Sequence, residues 1–281
     1  MLHPWLQVIY FRSMVDISST KGELRLPLFN FPKNSVALVT GAGSGIGFAT
    51  ATLLSQVGVI TYGLTKIADD KPEISHGLIR WLVADVSDRD QVDSAISRVR
   101  EEHESLDFLV SNAAVVRHAP VGDVLISDLK YMLDTNLIGY FNLMGSALPL
   151  LKKSKAASVV AVSSIHAQTT SRMVSGYAAT KGALVSAVKA SALDLGADGI
   201  RVNVVLPGSV DTPMLRASAN LRFPENPDAQ IDEWGRSHPL GRILEPEEVA
   251  HAIIFLGSPM ASGITGATLI VDGGLSAKLA L

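Results

Sequence analysis

The sequence predicts a doubly wound α/β domain, a seven-stranded parallel sheet with helices on both faces. Three observations carry that prediction. Short apolar runs alternate with stretches of helical spacing along most of the 281 residues, and such alternation builds parallel sheets through crossover helices. The runs are continuous rather than alternating in polarity, as strands buried on both faces require. Hydrophobic residues make up 47% and charged residues only 18%. That balance is the reverse of a disordered chain and suits a sheet with two covered faces. No internal repeat or long linker divides the pattern, so one domain is expected over 34–281.

The elements follow in order. Residues 36–39 form the first strand and enter a glycine-rich turn. Helical spacing runs over 46–57 and stops at Gly58. Residues 59–64 and 78–84 read as the second and third strands, the third ending at Asp85. Over 88–103, Val92, Ala95, Ile96 and Val99 recur at helical spacing, and Asp88 is the expected N-cap. The fourth strand is 106–110, followed by a long helix over 127–151 and a strand over 159–162. A helix over 176–195 ends near Gly196, and a strand over 200–206 is stopped by Pro207 and Gly208. Pro246 opens a helix over 247–256, and 268–271 is the last strand. Residues 208–244 are the one long irregular segment, of a length that usually marks a functional lid. Residues 1–33 are aromatic-rich and carry Pro4, Pro27 and Pro32; they read as an N-terminal extension, a packing arm or a leader.

Composition excludes several function classes. A net charge of −3 and a pI near 6.2 lack the basic excess of nucleic-acid proteins. The early apolar run at 5–11 falls well short of the roughly 20 residues that span a membrane. There is no cysteine, hence no disulfide, thiolate metal site or cysteine nucleophile. The histidines show no metal-binding spacing, so no metal is expected. A cytoplasmic enzyme fits these limits.

Two motifs carry chemistry. Gly41, Gly45 and Gly47 lie in a G-x-x-x-G-x-G turn between the first strand and a helix N-terminus. Such a turn lets backbone approach a pyrophosphate, with the helix N–H groups as donors. Tyr177 and Lys181, four apart on a predicted helix, share a face, and Ser164 lies at a strand end thirteen residues upstream. Tyr62 and Lys66 have the same spacing. Tyr62 sits in a predicted strand, where four residues span about 13 Å, and Ala49 stands at the upstream offset.

With these residues in place, the chain resembles the short-chain dehydrogenase/reductase family from residue 34 to 274. The resemblance rests on Thr40-Gly41-x-x-x-Gly45-Ile46-Gly47, Asp85, Asn112-Ala113-Ala114 and Asn136. It continues through Ser164, Tyr177-x-x-x-Lys181, Pro207-Gly208 with Thr212, and Asp272-Gly273-Gly274. Ala114 departs from the glycine usual in that family. The tail, from Pro239-Leu240-Gly241-Arg242 onward, is similar to that of the 3-oxoacyl-carrier-protein reductases and their alcohol-dehydrogenase relatives.

The resemblance implies a Rossmann-type fold and a nicotinamide cofactor, which brings the hydride chemistry. It implies contacts to that cofactor from Gly41, Ser44, Gly45, Ile46, Gly47, Asp85 and Val86. Further contacts are implied from Asn112, Ala113, Ala114, Pro207, Gly208, Val210 and Thr212. Tyr177 would be the acid/base, with Lys181 stabilising its phenolate and holding the nicotinamide ribose. Ser164 would orient the substrate oxygen, and Asn136 would hold a water in a proton relay. A homotetramer with a four-helix contact is also implied. In support, 137–151 has no charged residue, and 178–195 has only Lys181, Lys189 and Asp194, which suggests helices buried on both sides.

The position that selects the cofactor, eighteen residues after the last loop glycine, is Thr65, followed by Lys66. No carboxylate stands there to bind a ribose 2′-hydroxyl, and Lys66 is available to a 2′-phosphate. NADP(H) is therefore expected over NAD(H), although Ser44 replaces the basic residue of many NADP users and Asp69 and Asp70 lie close by in sequence. The substrate is a small carbonyl compound or alcohol, in a pocket expected to include His166, Met173 and Met214. The alternatives are an NAD-dependent sugar, steroid or polyol dehydrogenase, and a non-catalytic dinucleotide-binding sensor. A sensor has no need of the Ser164, Tyr177 and Lys181 set.

Overall fold

The computed structural model describes residues 29–67, 72 and 78–278. Its seven strands are β1 (Val36–Thr40), β2 (Ile60–Thr65), β3 (Ile79–Val83), β4 (Phe108–Ser111), β5 (Ser158–Val162), β6 (Arg201–Pro207) and β7 (Thr268–Val271). All pair in parallel, in the order β3-β2-β1-β4-β5-β6-β7. The chain moves outward from β1 to β3 and then returns to β4. The β1–β4 boundary is therefore the topological switch point, where doubly wound sheets bind ligands at the carboxyl ends of their strands. β1, β4 and β5 are buried throughout, as their unbroken apolar runs require.

Helices cover both faces. On one lie α2 (Arg89–Glu102), α4 (Gly139–Leu151) and α5 (Ser175–Leu195), burying Val92, Leu143, Leu150, Leu184 and Val188. On the other lie α1 (Gly45–Gln56) and α8 (Pro246–Gly257), burying Leu54, Val249 and Ile253. Asp88 caps α2 as the sequence predicts, its side chain accepting from the N–H groups of Asp90 and Gln91. Arg201 closes α8: its guanidinium donates to the carbonyls of Leu256 at 2.6 Å, Gly257 at 3.2 Å and Ser258 at 3.1 Å, groups that a helix end leaves unpaired.

Two expectations need correction. The helix predicted over 127–151 is α3 (Ile126–Leu133), a wide π-helical turn at Asp134–Ile138, and α4. The wide turn coincides with two tight fits. Asn136 is tied to Val115 and Thr180, and Gly139 lies so close to Val86 that a Cβ would sit 2.8 Å from its Cγ2. The segment 208–244 is not irregular but holds α6 (Pro213–Arg222) and α7 (Pro227–Ser237). Each starts from a side-chain cap followed by proline: Thr212 accepts from Leu215 N–H, and Asn226 from Ala229 N–H.

Of the N-terminal extension, residues 1–28 lie outside the described residues. Phe29 and Phe31 pack against the α1/α8 face, with the Phe31 ring stacked 6.1 Å from that of Phe108. Asp69 and Asp70 also lie outside the described residues. Among the described residues, no helix is long and apolar enough to cross a membrane.

Candidate active site

The glycine turn at the end of β1 is built for close approach. Gly41 has φ +63°, a conformation that side chains disfavour. A Cβ on Gly47 would lie 2.2 Å from Gly41 O and 2.5 Å from Asn112 Nδ2, so only glycine packs the helix start against the turn. Thr40 ties the turn to the next strand. Its hydroxyl oxygen accepts from the N–H groups of Asn112 at 3.0 Å and Ala113 at 3.1 Å. Asn112 Nδ2 in turn donates to Thr40 O at 2.9 Å. At the N-terminus of α1, the Ser44 side chain caps no N–H and the first turn holds no acidic residue. That leaves donors and a positive helix end for an anion, and a dinucleotide pyrophosphate fits this cradle.

At the ends of the next two strands, Thr65 is buried and Lys66 is exposed. Lys66 does not reach out alone: its Nζ lies 2.6 Å from Asp85 Oδ2. Asp85 Oδ1 accepts from Ser87 N–H at 3.0 Å and Ser87 Oγ at 2.7 Å. Burial opposes the Asp85 carboxylate, but its bonds to Lys66 and Ser87 outweigh that and hold its pKa below the usual value. The bond to Asp85 raises the Lys66 pKa in turn. Val86 is buried, and its carbonyl accepts from Asn142 Nδ2 at 2.9 Å.

Ser164 follows β5 and caps a short 3-10 turn, its Oγ accepting from His166 N–H at 3.2 Å. That leaves the hydroxyl hydrogen available. Tyr177 and Lys181 stand one turn apart on α5, both buried. Burial pushes the Tyr177 phenol up to about 12, with a hydrogen bond to Ser164 working in the opposite direction. Lys181 Nζ lies 5.7 Å from the Tyr177 ring centre and donates to Val162 O at 2.8 Å. Burial pushes its pKa down to about 7. Ser163 Oγ donates to Lys181 O at 2.8 Å and pins the helix to the strand end.

These groups open onto a cavity of about 670 Å³ at the switch point. The segments lining it combine both motifs. Gly41, Ser44, Gly45 and Ile46 come from the first turn, and Asn112, Ala113 and Ala114 from the second. Ser164, His166, Tyr177 and Lys181 line the side formed by the β5 end and α5. Pro207, Gly208, Val210, Thr212 and Met214 come from the β6 end and the lid.

Comparisons with known proteins agree with this geometry. A family profile described as enoyl-(acyl carrier protein) reductase matches residues 41–276. The chain is 32% identical to a 3-oxoacyl-(acyl-carrier-protein) reductase of Chlamydia muridarum over 86% of its length and 98% of the relative. It is 35% identical to a cis-4-hydroxycyclohexanecarboxylate dehydrogenase of Sinomonas cyclohexanicum, over 86% of its length and 96% of the relative. Among solved structures, the aldohexose dehydrogenase of Thermoplasma acidophilum superposes with TM-score 0.83 at 34% identity. That superposition covers 89% of this chain and 96% of the other. The chain belongs to the short-chain dehydrogenase/reductase family.

As a short-chain dehydrogenase/reductase it is an oxidoreductase acting between alcohol and carbonyl groups with a nicotinamide cofactor. Several expected site residues stand off the cavity wall. Gly47 lies behind the turn, while Thr65, Lys66, Asp85 and Val86 lie at the β2 and β3 ends. Asn136 is buried, with its side chain fully engaged: Oδ1 accepts from Val115 N–H at 2.8 Å, and Nδ2 donates to Val115 O at 2.9 Å and Thr180 Oγ1 at 3.0 Å. Met173 is 39% exposed with φ +70°, and it lines a separate shallow depression; Val174 takes its place on the cavity wall.

Sequence reasoning missed His118 and Ser218, which line the cavity together with Arg222 and Trp234 of the lid segment. No spacing rule links His118 to Ser218, which meet across 100 positions. His238 was missed too. It is buried, its Nδ1–H donates to Trp234 O at 2.8 Å, and its Nε2 accepts from Ser209 N–H at 3.3 Å, fastening α7 to the β6 end.

Proposed function

We propose that the protein is an NADP(H)-dependent oxidoreductase that interconverts a ketone and a secondary alcohol, with Tyr177 as the acid/base. The observation that carries this reading is the Ser164–Tyr177 pair facing one cavity, with Lys181 a turn further along α5. Gly41, Gly45 and the N-terminus of α1 would hold the nicotinamide cofactor, which would supply the hydride chemistry. The Ser164 hydroxyl, free of backbone duty as a donor, hydrogen-bonds the substrate oxygen and fixes its position. The neutral Tyr177 phenol gives its proton to that oxygen in reduction and takes it back in oxidation. Lys181 holds the positive charge that makes the phenolate accessible. Asn136 locks Val115 and Thr180, and the Thr180 hydroxyl donates to Tyr177 O at 2.8 Å; its side chain thus fixes the turn of α5 that carries the phenol.

The NADP(H) preference rests on the absence of a carboxylate at the end of β2 and on Lys66. The Lys66–Asp85 ion pair is a partly exposed contact, worth about 0–1 kcal/mol, which a 2′-phosphate can displace. The same pair partly neutralises the lysine, and that favours the NAD-dependent sugar or polyol dehydrogenase reading. Initial rates with a panel of ketones and alcohols, in both cofactors, test the choice. We expect higher kcat/KM with NADP(H), and Lys66→Ala to reduce the NADP(H)/NAD(H) ratio. A clear NAD(H) preference in the unaltered enzyme overturns the cofactor assignment. Reduction of an enoyl thioester with no ketone turned over overturns the reaction.

We also propose a homotetramer. Ile138, Phe141, Gly145 and Pro149 form an exposed uncharged stripe along the π turn and α4, and Leu193 on α5 is 84% exposed. Such contiguous apolar patches mark association surfaces.

A further inference from the structure

The charge of the cavity wall is one-sided. Among the described residues that line it there is no aspartate or glutamate, yet it holds Lys181, Arg222, Lys278, His118 and His166. Overall composition does not explain this, since the chain has 27 acidic residues against 24 lysines and arginines. Lys181 is committed to Val162 O and the reaction centre. The other groups near Tyr177 come from three segments: His118 after β4, His166 after β5, and Arg222 in the last turn of α6.

Arg222 is half-buried, lies 5.3 Å from the Phe223 ring centre, and has no carboxylate within ion-pair distance among the described residues. His118 shows a second unmet demand. Its Nε2 lies 3.0 Å from Ser218 Oγ, which also lies 2.9 Å from Met214 O. Nδ1 is buried without a partner among the described residues; in the neutral ring it can donate to a carboxylate when Nε2 accepts from Ser218 Oγ. Buried polar atoms rarely stay unpaired. His166, its ring 5.9 Å from that of Tyr177, has Nδ1 3.1 Å from Thr170 Oγ1. Burial first, and then the Arg222 charge, lower the pKa of His118. Burial, His118 and Arg222 lower that of His166. The three groups thus line one cavity with the Tyr177 phenol.

Building on the carbonyl-reductase reading above, we propose that the substrate carries a carboxylate remote from its carbonyl, seated against Arg222 and His118. The planar fork of a guanidinium suits the two oxygens of a carboxylate. The enzyme would then act on keto acids and the corresponding hydroxy acids, with Ser164 and Tyr177 at one end of the molecule and Arg222 at the other.

A homologous series of ω-carboxy methyl ketones, each paired with its methyl ester, tests this with the whole enzyme and NADPH. At the best chain length we expect the acid to exceed its ester in kcat/KM by about tenfold or more, the scale of a hydrogen-bonded charge. Arg222→Met should bring the ratio close to one through KM for the acid, while Arg222→Lys should keep part of the preference. His118→Phe, which keeps a ring but removes its nitrogens, should lower the ratio several-fold and stands in if Arg222→Met fails to fold. Equal turnover of acid and ester at every length overturns the inference while leaving the carbonyl-reductase reading standing. An acid preference undiminished in both Arg222→Met and His118→Phe overturns the inference as well. No turnover of any ketone overturns the reading on which it rests.

Discussion

Replacing Lys181 with methionine should abolish turnover and yet stabilise the ligand-free protein. Lys181 is 2% exposed, and burial lowers its pKa from 10.5 to about 7. Each pKa unit is worth about 1.4 kcal/mol, so at pH 7 the folded state carries a penalty of roughly 4 kcal/mol for this one amine. Against it stands one hydrogen bond, from Nζ to Val162 O, worth about 1–3 kcal/mol when a charged donor is lost. Methionine fills the same volume without the charge, so a net gain of about 1–3 kcal/mol is expected at pH 7. The sign with pH follows from linkage. Between the folded value near 7 and the unfolded value of 10.5, the unfolded chain binds more protons, so stability rises with pH across that window. His118, His166 and His103, whose pKa values are also lowered, contribute only at or below their ordinary 6.5. Tyr177, raised to about 12, reverses the trend only above 10. Urea unfolding of the ligand-free enzyme from pH 7 to 9.5 should therefore show stability climbing in the native protein, with the climb largely absent in Lys181→Met. A native stability that is flat or falling over that range, or a Lys181→Met protein less stable than native at pH 7, refutes this account of an amine buried at a cost.

Other substitutions follow from the same structure. Tyr177→Phe should lower kcat by about a thousandfold, within the range of general acid–base catalysis, while fluorescence titration still shows NADPH binding. Gly47→Ala should destabilise by about 1–3 kcal/mol, and weaken nucleotide binding in the same titration, because its Cβ has 2.2 Å of room against Gly41 O. Arg201→Met should cost about 2–3 kcal/mol in urea unfolding, since Leu256, Gly257 and Ser258 lose their shared donor. Phe141→Glu, charging a ring 48% exposed on α4, should shift the light-scattering mass from tetramer toward smaller species.

What was legible in the sequence was what short-range spacing encodes. The strands at 36–39 and 268–271, the Asp88 cap and the Tyr177–Lys181 face each depend on neighbours within a turn or a pleat, and the structure places all of them within a residue or two. The helices α6 and α7 were encoded in the same local way, as Thr212-Pro213 and Asn226-Pro227, an N-cap followed by proline. Their mixed apolar and charged composition hid them behind the appearance of a loop. The π turn at Asn136 was not legible, because what accompanies it lies elsewhere: Val115 and Thr180 hold its side chain, 21 and 44 positions away.

The same division separates the two ends of the cavity. The end that handles cofactor and proton is written in compact motifs, because its parts must be held within hydrogen-bond reach of a fixed reaction and each motif sits on a single strand-to-helix junction. The end beside the lid draws His118 from one junction, His166 from another, and Ser218 and Arg222 from α6. No window of sequence contains them together. Only the fold, by fastening α7 at His238 and returning α6 over the β4 and β5 ends, sets Arg222 where its charge acts on both His118 and His166. A lid built this way can change its substrate group by single substitutions on α6 while leaving Ser164, Tyr177 and Lys181 in place, which is how one reaction can serve different substrates on the same scaffold.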